Sequence, residues 1–330
     1  MDKLALISGE SFIYWSSIVY TLAAATAIAF FLAFYIGKCG NAVAGFAAVP
    51  LSIMLGLVAA RFFHWYCRAD SYESFTAAMT DYTSGGYALM GIFLGCFLAA
   101  AILRLVFLHR SLPEMLDCMA ISGCAGIAVG RLASFFNSSD RGQVMETLKS
   151  LPFVYPVTNA VSGALEYRLA TFVLQSMVAL LLFGGLGLFY IRENRKGNLK
   201  DGDTCLIFLL IYGASQVVLD STRYDSLFFR SNGFVSVVQV LGALGLALAI
   251  ILFSRRMVKA WGLRFWQFLL WLPIAAGIGC GGFMEYYVQR RGNEAAFAYS
   301  VMSGCLIGVI LLTLLIRFLA VKKEEKQIIL

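Results

Sequence analysis

"MLDCMAISGCAGIAVGRLASFFNSS" (residues 115–139) is the stretch on which the reading of this chain turns. Its first sixteen residues carry one charge, Asp117, and the run then meets Arg131 and a polar segment. An apolar run of this length that continues through Phe136 is a membrane-crossing helix. Arginine near a bilayer costs a few kcal/mol on insertion scales, so Arg131 needs a partner, a water-filled cavity or an interface into which it snorkels.

The rest of the chain repeats the pattern. Hydrophobic residues make up 60% of its 330 positions and charged residues 14%, with a mean hydropathy of +0.79. Apolar runs of spanning length recur at 14–37, 42–63, 86–108, 114–136, 169–191, 204–220, 233–253, 266–288 and 296–320. The chain is therefore expected to be all-α, a polytopic transmembrane helical protein. The run 204–220 is short and ends in "LDSTRYDS", which suits a tilted helix or one that continues into a protein-lined cavity. The net charge of +7 resides mainly in short loops between apolar runs, the distribution of topology signals, and so points to no nucleic acid. Eight cysteines form no CxxC pair and mostly lie within apolar runs, where they read as small packing residues. No metal and no cofactor is implied. No internal repeat and no matched pair of broken helices suggests an inverted-repeat transporter.

Orientation follows from the basic residues. Loop 192–203 carries Arg192, Arg195, Lys196 and Lys200; loop 254–264 carries Arg255, Arg256, Lys259 and Arg264; the tail carries Lys322, Lys323 and Lys326. All three share one side if nine helices cross, and the positive-inside rule makes that side cytoplasmic. The N-terminus is then outside, the C-terminus inside, and the first helix is expected to stay uncleaved. The long segments 64–85 and 137–168 face outward and hold His64, Asp70, Glu73, Asp81, Asp140, Glu146 and Glu166 among aromatics. Chemistry is expected there, while the cytoplasmic connections read as plain connectors. Asp117 is expected to pair with Arg110 or to cap the helix that follows Pro113. His64, in "RFFHWYCR", suits an aromatic interface belt or a catalytic base.

"GRLASFFNSS" (130–139) resembles the signature of the bacterial prolipoprotein diacylglyceryl transferases, approximately G-R-x-G-N-F-x-N-x-E. "SGGYALMGIFLG" (84–95) is similar to that family's G-G-x-x-x-H-G-x-x-G. "GDTCLIFLLIYGASQVVLDSTRYD" (202–225) resembles its Y-G-x-x-R-x-x-x-E-x-x-R segment, and "FVSVVQVLG" (234–242) its F-x-S-x-x-Q. Four pieces in the same order cover residues 14–253. The resemblance implies a seven-helix, transferase-like core, residues 1–253, plus two additional helices and a basic tail, residues 254–330. It implies transfer of the diacylglyceryl group of phosphatidylglycerol to the lipobox cysteine of a prolipoprotein signal peptide, with a thioether formed and glycerol phosphate released at a bacterial cytoplasmic membrane. The partners would be phosphatidylglycerol, the prolipoprotein and membrane lipids.

Such a reaction needs a cation to neutralise the leaving phosphate, and a planar guanidinium grips two of its oxygens. A thiol nucleophile needs a base or a positive field. Carried across by residue, Arg131, Arg223, Asp220 (for glutamate) and Tyr212 are the implied catalytic set, with Asp220 positioning an arginine. Asp220 and Arg223, three apart on one helix face, also suit a structural salt bridge. Arg61, Asn137 and Gln239 fall at matching positions for substrate binding. Departures fall on Met90 (for histidine), Ser134 (for asparagine), Ser139 (for glutamate, with Asp140 adjacent) and Gln216 (for arginine). The family's R-H-P-x-Q-L-Y-E segment resembles "RLATFVLQ" (168–175), keeping Arg168 and placing Gln175 for glutamate. The base is left unassigned, with His64, Asp140 or the field of Arg131 as candidates. A non-catalytic relative that binds lipid or lipidated peptide, and a membrane transporter, are the alternative readings.

Overall fold

Apolar sequence and backbone hydrogen bonding leave a bilayer-spanning chain little choice but helix. The computed structural model describes residues 4–8, 11–81, 85–107, 111–137, 140–145, 152–159, 162–229, 232–290 and 294–329. Among these, nine helices are long and apolar enough to cross a membrane. They are α1 (Trp15–Cys39), α2 (Ala42–Cys67), α4 (Leu89–Val106), α5 (Leu112–Gly130), α6 (Thr171–Arg195), α7 (Asp203–Ser221), α8 (Val237–Trp261), α9 (Phe265–Arg290) and α10 (Ala295–Ile329), with the short α3 (Phe75–Thr80) outside the count. Each overlaps one expected run. α8 starts later than expected because Ser236 stops the preceding strand and caps the helix: its hydroxyl accepts the Gln239 N–H while the Gln239 side chain accepts the Ser236 N–H.

Glycine explains the closest packing. α2 lies along α4, and a Cβ on Gly91 or Gly95 would come within 2.3 Å of the backbone of Ala60 or Gly56. The glycine-rich stretch 84–95 thus permits two backbones to touch. α7 and α8 approach likewise, and a Cβ on Gly213 would lie 2.4 Å from the Gly242 carbonyl oxygen. α5 and α7 are the most enclosed spans; α5 packs against α1, α6 and α7, while α10 leans on α7, α8 and α9.

Among the described residues three antiparallel hairpins decorate the helices: β1 (Leu4–Ser8) with β2 (Ser11–Tyr14), β3 (Val154–Thr158) with β4 (Leu165–Leu169), and β5 (Phe228–Phe229) with β6 (Asn232–Ser236). These strands were not expected, being too short for periodicity to reveal.

Two expectations about the basic side are corrected. Asp117 does not cap its own helix; its carboxylate accepts the N–H groups of Gly202 and Cys205, each at 2.7 Å, and so caps α7 from across the bundle. Arg110, its other expected partner, lies outside the described residues. Nor is segment 192–203 a plain connector. Asp203, fully buried, binds Arg256 of α8 and Arg317 of α10, the latter at 2.9 Å from Nε. A carboxylate there is tolerable only because two guanidiniums meet it.

Candidate functional site

At the other end of α5 and α7 the chain gathers four segments. Beyond α5 a 3-10 turn, Arg131–Phe135, carries Arg131 out of the helix. Residues 141–145 then run between two backbones. Gly142 N–H donates to Leu169 O at 2.9 Å, Met145 N–H to Tyr167 O at 2.7 Å, and Gln143 N–H to Thr222 O at 2.9 Å. Tyr224 N–H returns to Arg141 O at 2.9 Å. This stitching fixes the ends of α5, β4 and α7 relative to one another, because backbone donors leave little slack.

Asp140 stands at the centre. Its Oδ1 lies 2.7 Å from Arg131 Nη1 and 2.7 Å from Arg223 Nη2. Its Oδ2 accepts the Ser134 hydroxyl at 3.0 Å, and its backbone N–H donates to Asp225 Oδ2 at 2.8 Å. The residue holds a left-handed backbone, φ +60°, a conformation that aspartate tolerates better than most residues. Arg223 reaches further, to Asp220 Oδ1 at 3.1 Å and Asp225 Oδ1 at 3.0 Å. Asp220, fully buried, also accepts the Ser236 hydroxyl, and its carbonyl accepts that of Ser226 at 2.8 Å. Burial works against the charge of Asp140, but the guanidiniums of Arg131 and Arg223 outweigh it and hold its carboxyl well below the usual carboxylate range. Asp140 is therefore a poor proton acceptor. Burial likewise opposes the Arg223 cation, and Asp140 with Asp220 and Asp225 more than compensates, raising its pKa.

Tyr212, one face stacked on Phe208 at 5.0 Å and its edge against Phe93, brings its phenol within electrostatic reach of Arg131. The Tyr212 hydroxyl and Arg131 Nε are both enclosed and neither makes a hydrogen bond of good geometry among the described residues. Two orphan polar atoms beside an arginine pair are costly in a purely structural site.

The other candidates lie around this network or apart from it. Gln239 is a helix cap that also donates to Val217 O at 3.0 Å. Asn137 donates to the Tyr20 hydroxyl at 3.2 Å. Gln216 is fully buried and accepts from Gln175 Nε2 at 3.0 Å, so two departures from the family pattern form a single contact. Met90 sits in the apolar core. Ser139 lies outside the described residues. Arg168 binds Glu166 at 2.7 Å and covers the Tyr224 ring.

Arg61 is placed apart. It is almost fully enclosed, donating to the carbonyls of Ala78 and Asp81 at 2.5 Å, Gly86 at 3.1 Å, and Gly85, with its guanidinium over Tyr72 and Tyr87. His64 joins this second cluster through a 2.8 Å contact between Nδ1 and the Tyr72 hydroxyl. Sequence reasoning missed Asp225, and it took Asp140 as a candidate base and as the acid beside the signature-glutamate position, not as a bridge between two arginines. The signal was present in the acidic residues alternating with arginine in "DSTRYD" and "SSDR". Among the described residues no group of His, Cys, Asp or Glu is arranged to hold a metal.

Comparison with known proteins bears on this geometry. The prolipoprotein diacylglyceryl transferase family model matches residues 4–255. A phosphatidylglycerol–prolipoprotein diacylglyceryl transferase of Streptococcus suis (strain 05ZYH33) is 31% identical over 199 residues, 59% of this chain and 70% of that protein. The enzyme of the same name from Lactococcus lactis subsp. cremoris (strain MG1363) is 29% identical over 265 residues, covering 78% of this chain and 96% of its own length. That from Streptococcus pneumoniae (strain Hungary19A-6) is 27% identical over 214 residues, 63% and 77% of the two chains.

Proposed function

The chain belongs to the prolipoprotein diacylglyceryl transferase family, and from that premise we propose that Arg131 and Arg223 form the phosphate grip for transfer of the diacylglyceryl group of phosphatidylglycerol to a prolipoprotein cysteine. It is a multi-pass membrane transferase of lipoprotein maturation. What carries the assignment of the site is the meeting of Arg131 and Arg223, 92 positions apart, on a single carboxylate oxygen of Asp140. A carboxylate and a phosphate present similar oxygen pairs to a guanidinium fork, so an incoming phosphate can take contacts that Asp140 holds in the free protein.

In this reading the thiolate sulfur attacks the glyceryl carbon that bears the phosphate. The S–C bond forms as the C–O bond breaks, glycerol phosphate departs, and the thiol proton passes to solvent or to the released phosphate monoester. Arg131 and Arg223 stabilise the charge growing on the leaving oxygen. Asp220 and Asp225 orient Arg223, and the Tyr212 hydroxyl with Arg131 Nε offers two further donors to the headgroup. In the free protein Asp140 is kept from the base role by its own ion pairs, and His64 is tied to Tyr72 in the Arg61 cluster. The thiol is instead acidified by the arginines once phosphate displaces Asp140. The site faces outward, with the N-terminus outside, the C-terminus cytoplasmic and the protein in the cytoplasmic membrane, on the arginine and lysine distribution. Residues 254–330 are an addition to the transferase core of residues 1–253.

The test uses the purified full chain with phosphatidylglycerol and a lipobox peptide. Thioether-linked diacylglyceryl peptide is expected from the parent, and Arg131→Lys, which keeps charge but loses the fork, is expected to retain under a tenth of the rate. Phosphatidylglycerol binding without product, in the parent and in Met90→His alike, would replace the enzyme with a lipid-binding relative, the reading that the loss of the family histidine at Met90 favours.

A further inference from the structure

α8 and α9 are consecutive, yet both lean on α10 rather than on each other. Between them lies a groove of about 930 Å³, touching neither the Arg131 network nor the Arg61 cluster. Its walls are aliphatic, from Ile251 on α8 and from Ile274 and Ile278 on α9. A polar bond crosses it, from Trp271 Nε1 to Ser254 Oγ at 3.1 Å. At its mouth stand Arg255 and Lys259, four residues apart and so on one helix face. Both are exposed, and neither forms an ion pair among the described residues. Their neighbour Arg256, by contrast, is spent on Asp203.

Dimensions and charge identify the occupant. The α8 wall runs from Ala247 to Lys259, about 18 Å at the helical rise of about 1.5 Å per residue, of which the apolar part below Arg255 is about 10 Å. That apolar part lies within one hydrocarbon leaflet, about half of a 30 Å core. A partner transmembrane helix would need both leaflets; an acyl chain needs one. Two unpaired cations at the headgroup level above an apolar slot select an anionic headgroup over a zwitterionic one. We infer that the α8–α9 groove is a binding site for an anionic phospholipid of the leaflet on the 254–264 side, held by Arg255 and Lys259 at the headgroup and by the aliphatic walls along one chain. The lipid fills the wedge that α10 leaves open and ties α9 to α8. This site takes lipid from the leaflet opposite the transfer site and does not depend on the transfer reaction.

Trp271 reports on the groove directly. The full chain is placed in phosphatidylcholine nanodiscs doped with lipids brominated on an acyl chain, and Trp271 quenching is isolated as the difference from Trp271→Phe. Brominated phosphatidylglycerol and brominated phosphatidylserine are each expected to quench at about 25-fold lower mole fraction than brominated phosphatidylcholine, since each basic residue near the headgroups contributes about a five-fold preference and the mouth holds two. The preference is expected to shrink in high salt in the unmodified protein, and to vanish in Arg255→Gln/Lys259→Gln. Equal quenching by all three lipids would overturn the proposal in favour of bulk lipid. A preference for phosphatidylglycerol without phosphatidylserine would overturn the charge-based recognition, and no quenching by any lipid would show a groove closed by protein.

Discussion

Arg61 and the pair Arg131 with Arg223 are all enclosed, yet what surrounds them differs in kind. Arg61 donates to four backbone carbonyls, that of Ala78 within α3 and those of Asp81, Gly85 and Gly86 beyond it, and lies under two tyrosine rings. Arg131 and Arg223 are met by carboxylates, Asp140 shared between them and Asp220 and Asp225 on the latter. Carbonyls belong to the backbone, so Arg61 cannot exchange them without moving the segment it ties down. A carboxylate on a short side chain can be exchanged for another anion. On the proposed function, burial alone does not separate a binding arginine from a structural one; the identity of its acceptors does.

The sharpest way to break this contrast is to truncate each arginine and read rate and stability separately. Arg131→Ala and Arg223→Ala are each expected to lower thioether formation about 10²–10³-fold, the usual loss for a donor that stabilises a developing oxyanion. Arg61→Ala is expected to leave activity per folded molecule within ten-fold and to destabilise by about 4 kcal/mol, because several carbonyls lose a charged donor. Chemical unfolding in detergent, scored beside the peptide assay, separates the two. A stable, inactive Arg61→Ala would place that arginine in the chemistry and dissolve the distinction.

Gln175 and Gln216 offer a neutral counterpart to these charged contacts. The family pattern has glutamate and arginine at these positions, and the structure brings the two amides to 3.0 Å in a fully buried setting. Gln216→Arg alone is expected to cost about 3 kcal/mol, as an uncompensated buried charge does. Adding Gln175→Glu should recover much of that loss, read as a coupling energy in a double-mutant cycle of unfolding. Strict additivity would mean that the pair is not coupled.

The smallest effect concerns pH. Asp140 is held below the usual carboxylate range in the folded protein, so its contribution to stability is full above the unfolded pKa and is lost only as the pH falls through the folded one. The difference in Tm between the parent and Asp140→Asn is expected to stay constant from pH 8 to about pH 5 and to shrink only below about pH 4. A difference that disappears by pH 6 would show that Asp140 is not ion-paired as described.

Apolar length made the nine spans legible, since only helix satisfies the backbone in lipid. Arg131, Asp220 and Arg223 were legible as a group through their spacing and the family motif. Asp225 and the bridging role of Asp140 were not, because the contacts depend on how residues 141–145 thread between β4 and the end of α7, a long-range pairing without a local pattern. The same reason hid the use of Asp117 to cap α7, 85 residues away in sequence. Arg61 was legible only in part. Its position matched the family, but only the carbonyls of Ala78 and Asp81 show where its donors go.

The most direct test is a structure of the full chain with glycerol phosphate or phosphatidylglycerol bound. The account predicts the phosphate seated between Arg131 and Arg223, with at least one Asp140 contact displaced, the Tyr212 hydroxyl turned to the ligand, and Arg61 still on its four carbonyls. A phosphate held at Arg61, with the 2.7 Å bridges from Asp140 to both arginines intact, would contradict it.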